Sequence, residues 1–260
     1  MKFDEFDARM RRLEAAHDRR FPPDGFVIAR LDGRSFTRLT RKVLGLGPFS
    51  EVFRDHMVAV AKHCMGMGYR VPLAYTESDE ISLLVADAHQ LYGGKARKLL
   101  SLLAGEASAV LSVRLGLTAC FDCRALELST VEEVVDYFRW RAEDAHRNAV
   151  NALCTQMLRG DGASPAAAQA RLAMLSFDEK LELLLGRGIA FDAVDGWQRH
   201  GIALTWAALT IGGTDPRTGQ AGFSRRRRVR VDLELTSGAA VGAIAARCIE
   251  EMVGCARARR

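Results

Sequence analysis

The chain of 260 residues has no run of eighteen or more apolar residues, which excludes a membrane-spanning helix. It has no Ser-His-Asp arrangement, and of its six histidines the five other than His146 show no ligand spacing. Its one glycine-rich loop, Gly212–Gly222, lacks the Lys-Ser/Thr of a phosphate-binding loop. Internal repeats and low-complexity linkers are absent too. Six cysteines are scattered, and with no export signal they are expected as reduced thiols. Cys120 and Cys123 have the spacing of half a zinc site, but no second pair follows. They fall in a predicted strand, where residues three apart point to opposite faces. Core cysteines are the expectation.

What is present is a globular composition, 48% hydrophobic and 27% charged, with a net charge of +5. The length suits one large domain, or a catalytic core with an appendage. Arginine is concentrated in a few runs, which favours a polyanionic partner.

Phe3, Phe6, Met10 and Leu13 recur at helical spacing, so the N-terminus reads as an amphipathic helix and not a signal peptide. A strand is expected at Phe26–Leu31, broken at Asp32-Gly33, and a short helical turn over Arg34–Lys42. Ser50 caps a helix with Phe53, Met57, Val60, Ala61 and Cys64 on its buried side. Tyr69–Tyr75 and Glu80–Ala86 read as a hairpin turning at Thr76–Ser78. A helix over Lys95–Leu115 and a strand over Leu117–Leu128 follow. The order is the ferredoxin-like βαββαβ pattern, an α+β fold. Its antiparallel sheet is expected to carry helices on one face and leave the other for substrate.

A long helix capped by Thr130 and Glu133, two helices starting at Ser164-Pro165 and Ser176, strands at Gly201–Ile211 and Arg226–Leu235, and a last helix over Ala239–Ala256 complete the chain. Residues 1–130 thus hold the N-terminal helix and the βαββαβ unit, and residues 131–260 are expected to form a helical and β-hairpin region.

Asp32 ends the first strand and Asp79 sits at the hairpin turn. Strand order βαββ places these two ends side by side, as a divalent-metal site for nucleotide chemistry requires. Gly33 offers its carbonyl without a side chain in the way. The amides of Gly33 to Thr37 open a helical turn suited to a triphosphate. Arg34 and Arg38 add charge, and Phe36 could pack against a base. From pattern alone, Asp-Gly and Ser-Asp-Glu are equally ordinary turn chemistry.

At these residues the chain resembles the tRNA(His) guanylyltransferase family and its bacterial Thg1-like relatives. The matching stretches are Arg30-Leu31-Asp32-Gly33-Arg34-Ser35-Phe36 and Tyr75-Thr76-Glu77-Ser78-Asp79-Glu80. Further matches are Tyr137–Asp144, Gln169–Leu172 and Gly201–Trp206, all collinear. The resemblance implies a polymerase-palm core that adds nucleotides, GTP preferred, 3′–5′ onto the 5′ end of a tRNA after that end is activated, by adenylylation from ATP when it bears a monophosphate. It implies two Mg²⁺ ions held by Asp32, the Gly33 carbonyl and Asp79, with Glu80 as a third catalytic carboxylate. It also implies triphosphate contacts from Asp32 to Thr37 and from Ser78-Asp79, a palm-like catalytic core over residues 1–130, a region for tRNA binding and oligomerisation over residues 131–260, and a homotetramer; with no export signal, a cytoplasmic location is expected.

Two stretches depart from the family. His146-Arg147-Asn148-Ala149 keeps only part of a His-Ile-Asn-Asn motif, which points to template-dependent 5′-end repair over strict tRNA(His) addition. Gly47-Pro48-Phe49-Ser50 lacks a phosphate-contacting lysine, for which Lys42 or Arg41 could substitute. A nucleotidyl cyclase is the alternative, though its hairpin would read Gly-Gly-Asp-Glu-Phe. A catalytically impaired RNA-binding relative is another.

Arg226, Arg228 and Arg230 alternate in a strand and share one face. Such a row is either a solvated edge or a phosphate contact; the implied RNA substrate favours contact. On the long helix, Arg141, Asp144, Asn148 and Asn151 share a face, from which Arg141 and Asn148 are expected to meet RNA. His146 lies off that stripe, structural or functional alike.

Overall fold

The computed structural model describes residues 3–214 and 217–257, without the side chains of 255–257. Arg259 and Arg260, at the C-terminal end of the sequence, lie outside the described residues.

Six strands form one antiparallel sheet in the order β4-β1-β3-β2-β5-β6. They are β1 (Phe26–Gly33), β2 (Leu73–Glu77), β3 (Glu80–Val85), β4 (Phe121–Leu128), β5 (Ile202–Thr214) and β6 (Ala221–Asp232). The first four in that order are the expected ferredoxin-like core. The helices are α1 (Phe3–Ala15), α2 (Phe36–Arg38), α3 (Glu51–Gly66), α4 (Ala96–Leu115) and α5 (Val131–Gly160). They continue with α6 (Pro165–Ala173), α7 (Phe177–Leu185), α8 (Gly196–His200) and α9 (Gly238–Arg257).

Local chemistry explains several boundaries. Ser50 caps α3 by accepting from the Phe53 amide. Thr130–Glu133 and Ser176–Glu179 are both complete capping boxes. Gly116, at φ 68°, ends α4 in the left-handed conformation.

One face of the sheet packs on α3 and α4. Val27, Ala29 and Leu31 of β1 meet Met57 and Val60 of α3 and the Leu99, Leu103, Ala107, Leu111 stripe of α4. That stripe steps by four, one helix face, and each leucine on it contributes about 1.5–3 kcal/mol of burial. The opposite face, expected to be open, is covered. Ile28, Leu73, Tyr75 and Leu84 pack there against Val134 and Phe138 of α5 and Val241 and Ala245 of α9. The strands read as continuous apolar runs because both faces need partners. The two helices of the βαββαβ unit do lie on one face; the C-terminal half supplies the cover for the other. That half also extends the sheet, since β5 pairs with β2.

Further expectations are refined. The hairpin turns at Ser78-Asp79, not Thr76–Ser78, because β2 runs on to Glu77. Both ends of the Gly212–Gly222 stretch are strand, since β5 and β6 pair out to Thr214 and Ala221, while residues 217–220 keep the turn-rich character expected. Asp215 and Pro216 are outside the described residues. Helix α1 forms as expected, but Phe3, Phe6, Met10 and Leu13 are exposed.

Among the described residues, no helix is long and apolar enough to cross a membrane.

Candidate active site

At the end of the sheet where β1 stops and β2 turns into β3, a cavity of about 630 Å³ opens between the α2–α3 segment and α5. Asp32, Ser78, Asp79 and Glu80 lie at its base. Strand pairing places Asp32 directly opposite Glu80. The Gly33 amide donates to the Asp79 carbonyl at 3.2 Å, so main chain ties the two acidic turns together.

The carboxylates have different surroundings. Asp32 is partly exposed and accepts from the Arg124 guanidinium at 3.2 Å. Asp79 accepts from the Ser78 hydroxyl at 3.0 Å. No basic side chain pairs with it among the described residues. Its pKa lies above the usual carboxylate value because of burial, with repulsion from Asp32 adding to it. A desolvated carboxylate without a counter-ion, beside a second carboxylate, is a cation-binding arrangement.

Glu80 is held differently. Arg141 of α5 donates to it through Nε at 2.7 Å and through a terminal nitrogen at 3.1 Å. The same terminal nitrogen donates to Glu77 at 2.6 Å. Arg141 is 8% exposed, so it is not the outward RNA contact that its helix stripe suggests. It lies in the cavity wall, neutralising buried acids. Breaking such a pair costs about 3–5 kcal/mol, because the surviving charge stays buried. Burial pushes the Glu77 carboxyl up to about 8, against the opposing pull of Arg141. Asn148, also in the wall, is exposed and donates to Asp144 at 3.3 Å.

The loop after β1 is partly as expected. Gly33 has no room for a side chain: a Cβ there would sit 2.5 Å from the Phe36 ring. Phe36 itself is buried against Phe53 and Phe121, so it is a core residue beneath the loop and not a base-stacking one. The Arg34 amide donates to the Cys120 carbonyl. Of the five amides expected to face phosphate, Gly33 and Arg34 therefore already have acceptors. Ser35, at φ 61°, turns the chain so that Phe36 and Thr37 start α2. Where a lysine is missing at Gly47, the cavity is lined by Arg41, and Lys42 is not part of it.

Residues that the sequence did not single out complete the site. Asp122 lies opposite Asp32 across β1 and β4, and Arg124 bridges the two, 3.4 Å from Asp122. Cross-strand position was the signal, and it needed the register of β4. Arg54 and Trp197 stack at 4.8 Å at the cavity wall. His146 is structural: it stacks on His200 at 4.8 Å, against Phe177 and Phe191.

Arg226, Arg228 and Arg230 lie elsewhere. They pair with Leu209, Ala207 and Thr205, and so share one face as expected. Arg226 and Arg230 line a second cavity of about 1170 Å³ beside α9, together with Arg70, Arg225, Arg227 and Arg247.

Comparison with known proteins places this geometry in a family. Residues 7–129 match the family model "Thg1: tRNAHis guanylyltransferase". The tRNA(His) guanylyltransferase of Candida glabrata is 30% identical over 176 residues, covering 62% of this chain and 74% of that protein. A solved bacterial tRNA(His) guanylyltransferase (Thg1)-like protein in complex with GTP superposes with a TM-score of 0.67 and 26% identity, over 88% of this chain and 92% of the other. The Saccharomyces cerevisiae enzyme shares the fold, at a TM-score of 0.69 and 22% identity over 78% of this chain and 93% of that one. With its acidic hairpin, its Asp-Gly turn and nearly its full sheet matched, the chain belongs to the tRNA(His) guanylyltransferase (Thg1) family of nucleotidyltransferases.

Proposed function

We propose that this protein adds nucleotides, GTP preferred, in the 3′–5′ direction to the 5′ end of tRNA once that end is activated. The observation that carries the reading is the union of Asp32 and Asp79 in one cavity through the Gly33-to-Asp79 hydrogen bond. The bacterial Thg1-like neighbours solved in complex with GTP and with ATP support nucleoside triphosphates as the ligands.

The donor set fits Mg²⁺. Among the described residues, no three Asp, Glu, His or Cys side chains form a complete cage. Asp32, Asp79 and the Gly33 carbonyl would hold the metal, leaving positions for phosphate oxygens and water, the usual pattern for this ion. When bound, two such ions supply charge neutralisation on the phosphates and lower the pKa of the attacking hydroxyl.

The remaining work falls to the chain. Ser78 orients the Asp79 carboxylate. Arg41 takes the triphosphate contact left by the absent lysine, with Arg34 near the loop. Ser35 to Thr37 present the open first turn of α2. Glu80 braces the hairpin through Arg141. The incoming GTP's 3′ oxygen bonds to the 5′ phosphorus of the activated RNA, and pyrophosphate or AMP leaves. Arg226, Arg228 and Arg230 grip the RNA backbone, and Asn148 faces it from the cavity wall. Template-dependent 5′-end repair is the favoured role, since only part of the His-Ile-Asn-Asn motif is present at His146–Ala149.

Labelled GTP incorporation into 5′-truncated tRNA tests this reading. Wild type incorporates label, and Asp79→Ala does not while staying folded. Full incorporation by that variant sinks it. Mg²⁺ and GTP without RNA should yield no cyclic product.

A further inference from the structure

The acidic turn contains an electrostatic oddity. Ser78 and Asp79 form a two-residue turn, and the residues closing it, Glu77 and Glu80, are direct cross-strand partners. Like charges directly opposite each other destabilise a hairpin. Here both are also nearly buried, their side chains 9% and 14% exposed. Within the hairpin the offset is slight: the Ser82 hydroxyl donates to Glu80 at 3.4 Å.

The main offset comes from α5. The Arg141 fork reaches both carboxylates at 2.6–3.1 Å, and Asp144, one turn along, contacts the guanidinium at 3.3 Å. The Trp140 ring lies 4.7 Å from its carbon. Arg30 is a second, looser cation, 3.8 Å from Glu80. A planar guanidinium bound at several atoms has little freedom to rotate. Helix α5 is itself fixed on the sheet: Val134 and Phe138 are fully buried, and the Tyr137 and Ser82 hydroxyls are 2.8 Å apart.

We propose that Arg141 is a positioning residue for Asp79: from α5 it clasps both flanks of the turn, and so fixes where the β2–β3 hairpin presents that carboxylate to the substrate. This rests on the reading of Asp79 as the site's working carboxylate. The rival account is that Arg141 only neutralises two buried acids.

The double variant R141M/E77M separates them. It removes the guanidinium together with the carboxyl it holds at 2.6 Å, leaves Glu80 with Arg30, and fills the space with apolar side chains, a replacement that generally preserves stability. Positioning predicts a thermal midpoint near wild type, kcat for GTP incorporation down about 10- to 100-fold, and faster hydrogen exchange at the amides of Thr76–Glu80. Neutralisation alone predicts wild-type kcat and wild-type exchange. Either wild-type result in the folded variant overturns the proposal. If R141M/E77M does not fold, R141K carries the comparison. It keeps the charge and loses the fork, so positioning predicts lower kcat with faster hairpin exchange, and neutralisation predicts neither. Asp79→Ala is run in parallel. If it is inactive while the Arg141 variants are fully active, the clasp alone fails. If it is active, the underlying reading fails and the clasp with it.

Discussion

The two ends of strand β2 are opposites. At the Glu77 end lies the acidic cavity, where the carboxylates are partly buried and, among the described residues, all but Asp79 have a basic partner. At the Leu73 end, about 13 Å away at the usual strand rise, Thr205 and Trp206 lead into the arginine-lined cleft. Its guanidinium groups come from β6, α9 and the segment before β2, and only Asp87 and Glu251 oppose them in its lining. Under the proposed function, the first end fixes a small, highly charged group in one geometry. The second suits a repeating polyanion, where many weak contacts add up and salt competes with each. The proposed reaction on RNA uses both, and a single short strand joins them.

The comparison can be broken at either end. The largest effect is expected from Asp79→Ala: a loss of about 10²- to 10³-fold in GTP incorporation, the scale for removing a preorganised electrostatic partner. RNA retention on filters should be nearly unchanged, which shows the ends to be separable. Next comes Gly33→Ala. Its added carbon would overlap the Phe36 ring, and such overpacking costs about 1–3 kcal/mol. Thermal melting should show the loss, and GTP incorporation should fall with it because the Gly33 amide bonds Asp79. At the basic end, R226A/R228A should weaken RNA binding at physiological salt and reduce the log–log salt slope by about 2, one per phosphate contact. GTP affinity should stay the same. An unchanged slope would make these arginines a solvated edge.

The smallest effect lies behind both ends, at the stacked imidazoles of α5 and α8. Burial, with His146 and Arg199 nearby, lowers the His200 pKa to about 4 from an ordinary 6.5. The unfolded chain therefore takes up a proton at a pH where the folded chain does not. Stability is fully present above pH 6.5 and is lost as pH falls toward 4, by an amount on the order of 1 kcal/mol. Melting curves across that range should show the slope, and His200→Asn should flatten it.

Much of this was legible in the sequence, and the rest was hidden for identifiable reasons. Period and caps found the strands and helices, because Ser50, Thr130 and Ser176 act locally. The pairing of Asp32 with Asp79 followed from βαββ order alone. The covered second face was missed because α5 and α9 reach the sheet from far along the chain, and an amphipathic stripe does not name its partner. The same blindness turned Arg141 outward: its spacing with Asn148 gave a shared face, while Glu77 and Glu80, more than sixty positions away, decided that the face was buried at its start. Phe36 looked like a base platform because the sequence cannot show Phe53 and Phe121 beneath it. Arg124 and Asp122 needed the register of β4. Arg70 and Arg247 joined the basic cleft only through the fold.

The Gly33-to-Asp79 hydrogen bond carries a last consequence. It is made by peptide groups, so the gap between the two acidic turns is set by the backbone and is indifferent to the side chains projecting from it. Exchanging aspartate for asparagine or glutamate at either position alters what the site can attract while its frame keeps its span. Kinetic lesions at Asp32 and Asp79 can therefore be interpreted as changes of chemistry, and lesions at Gly33 as changes of ruler.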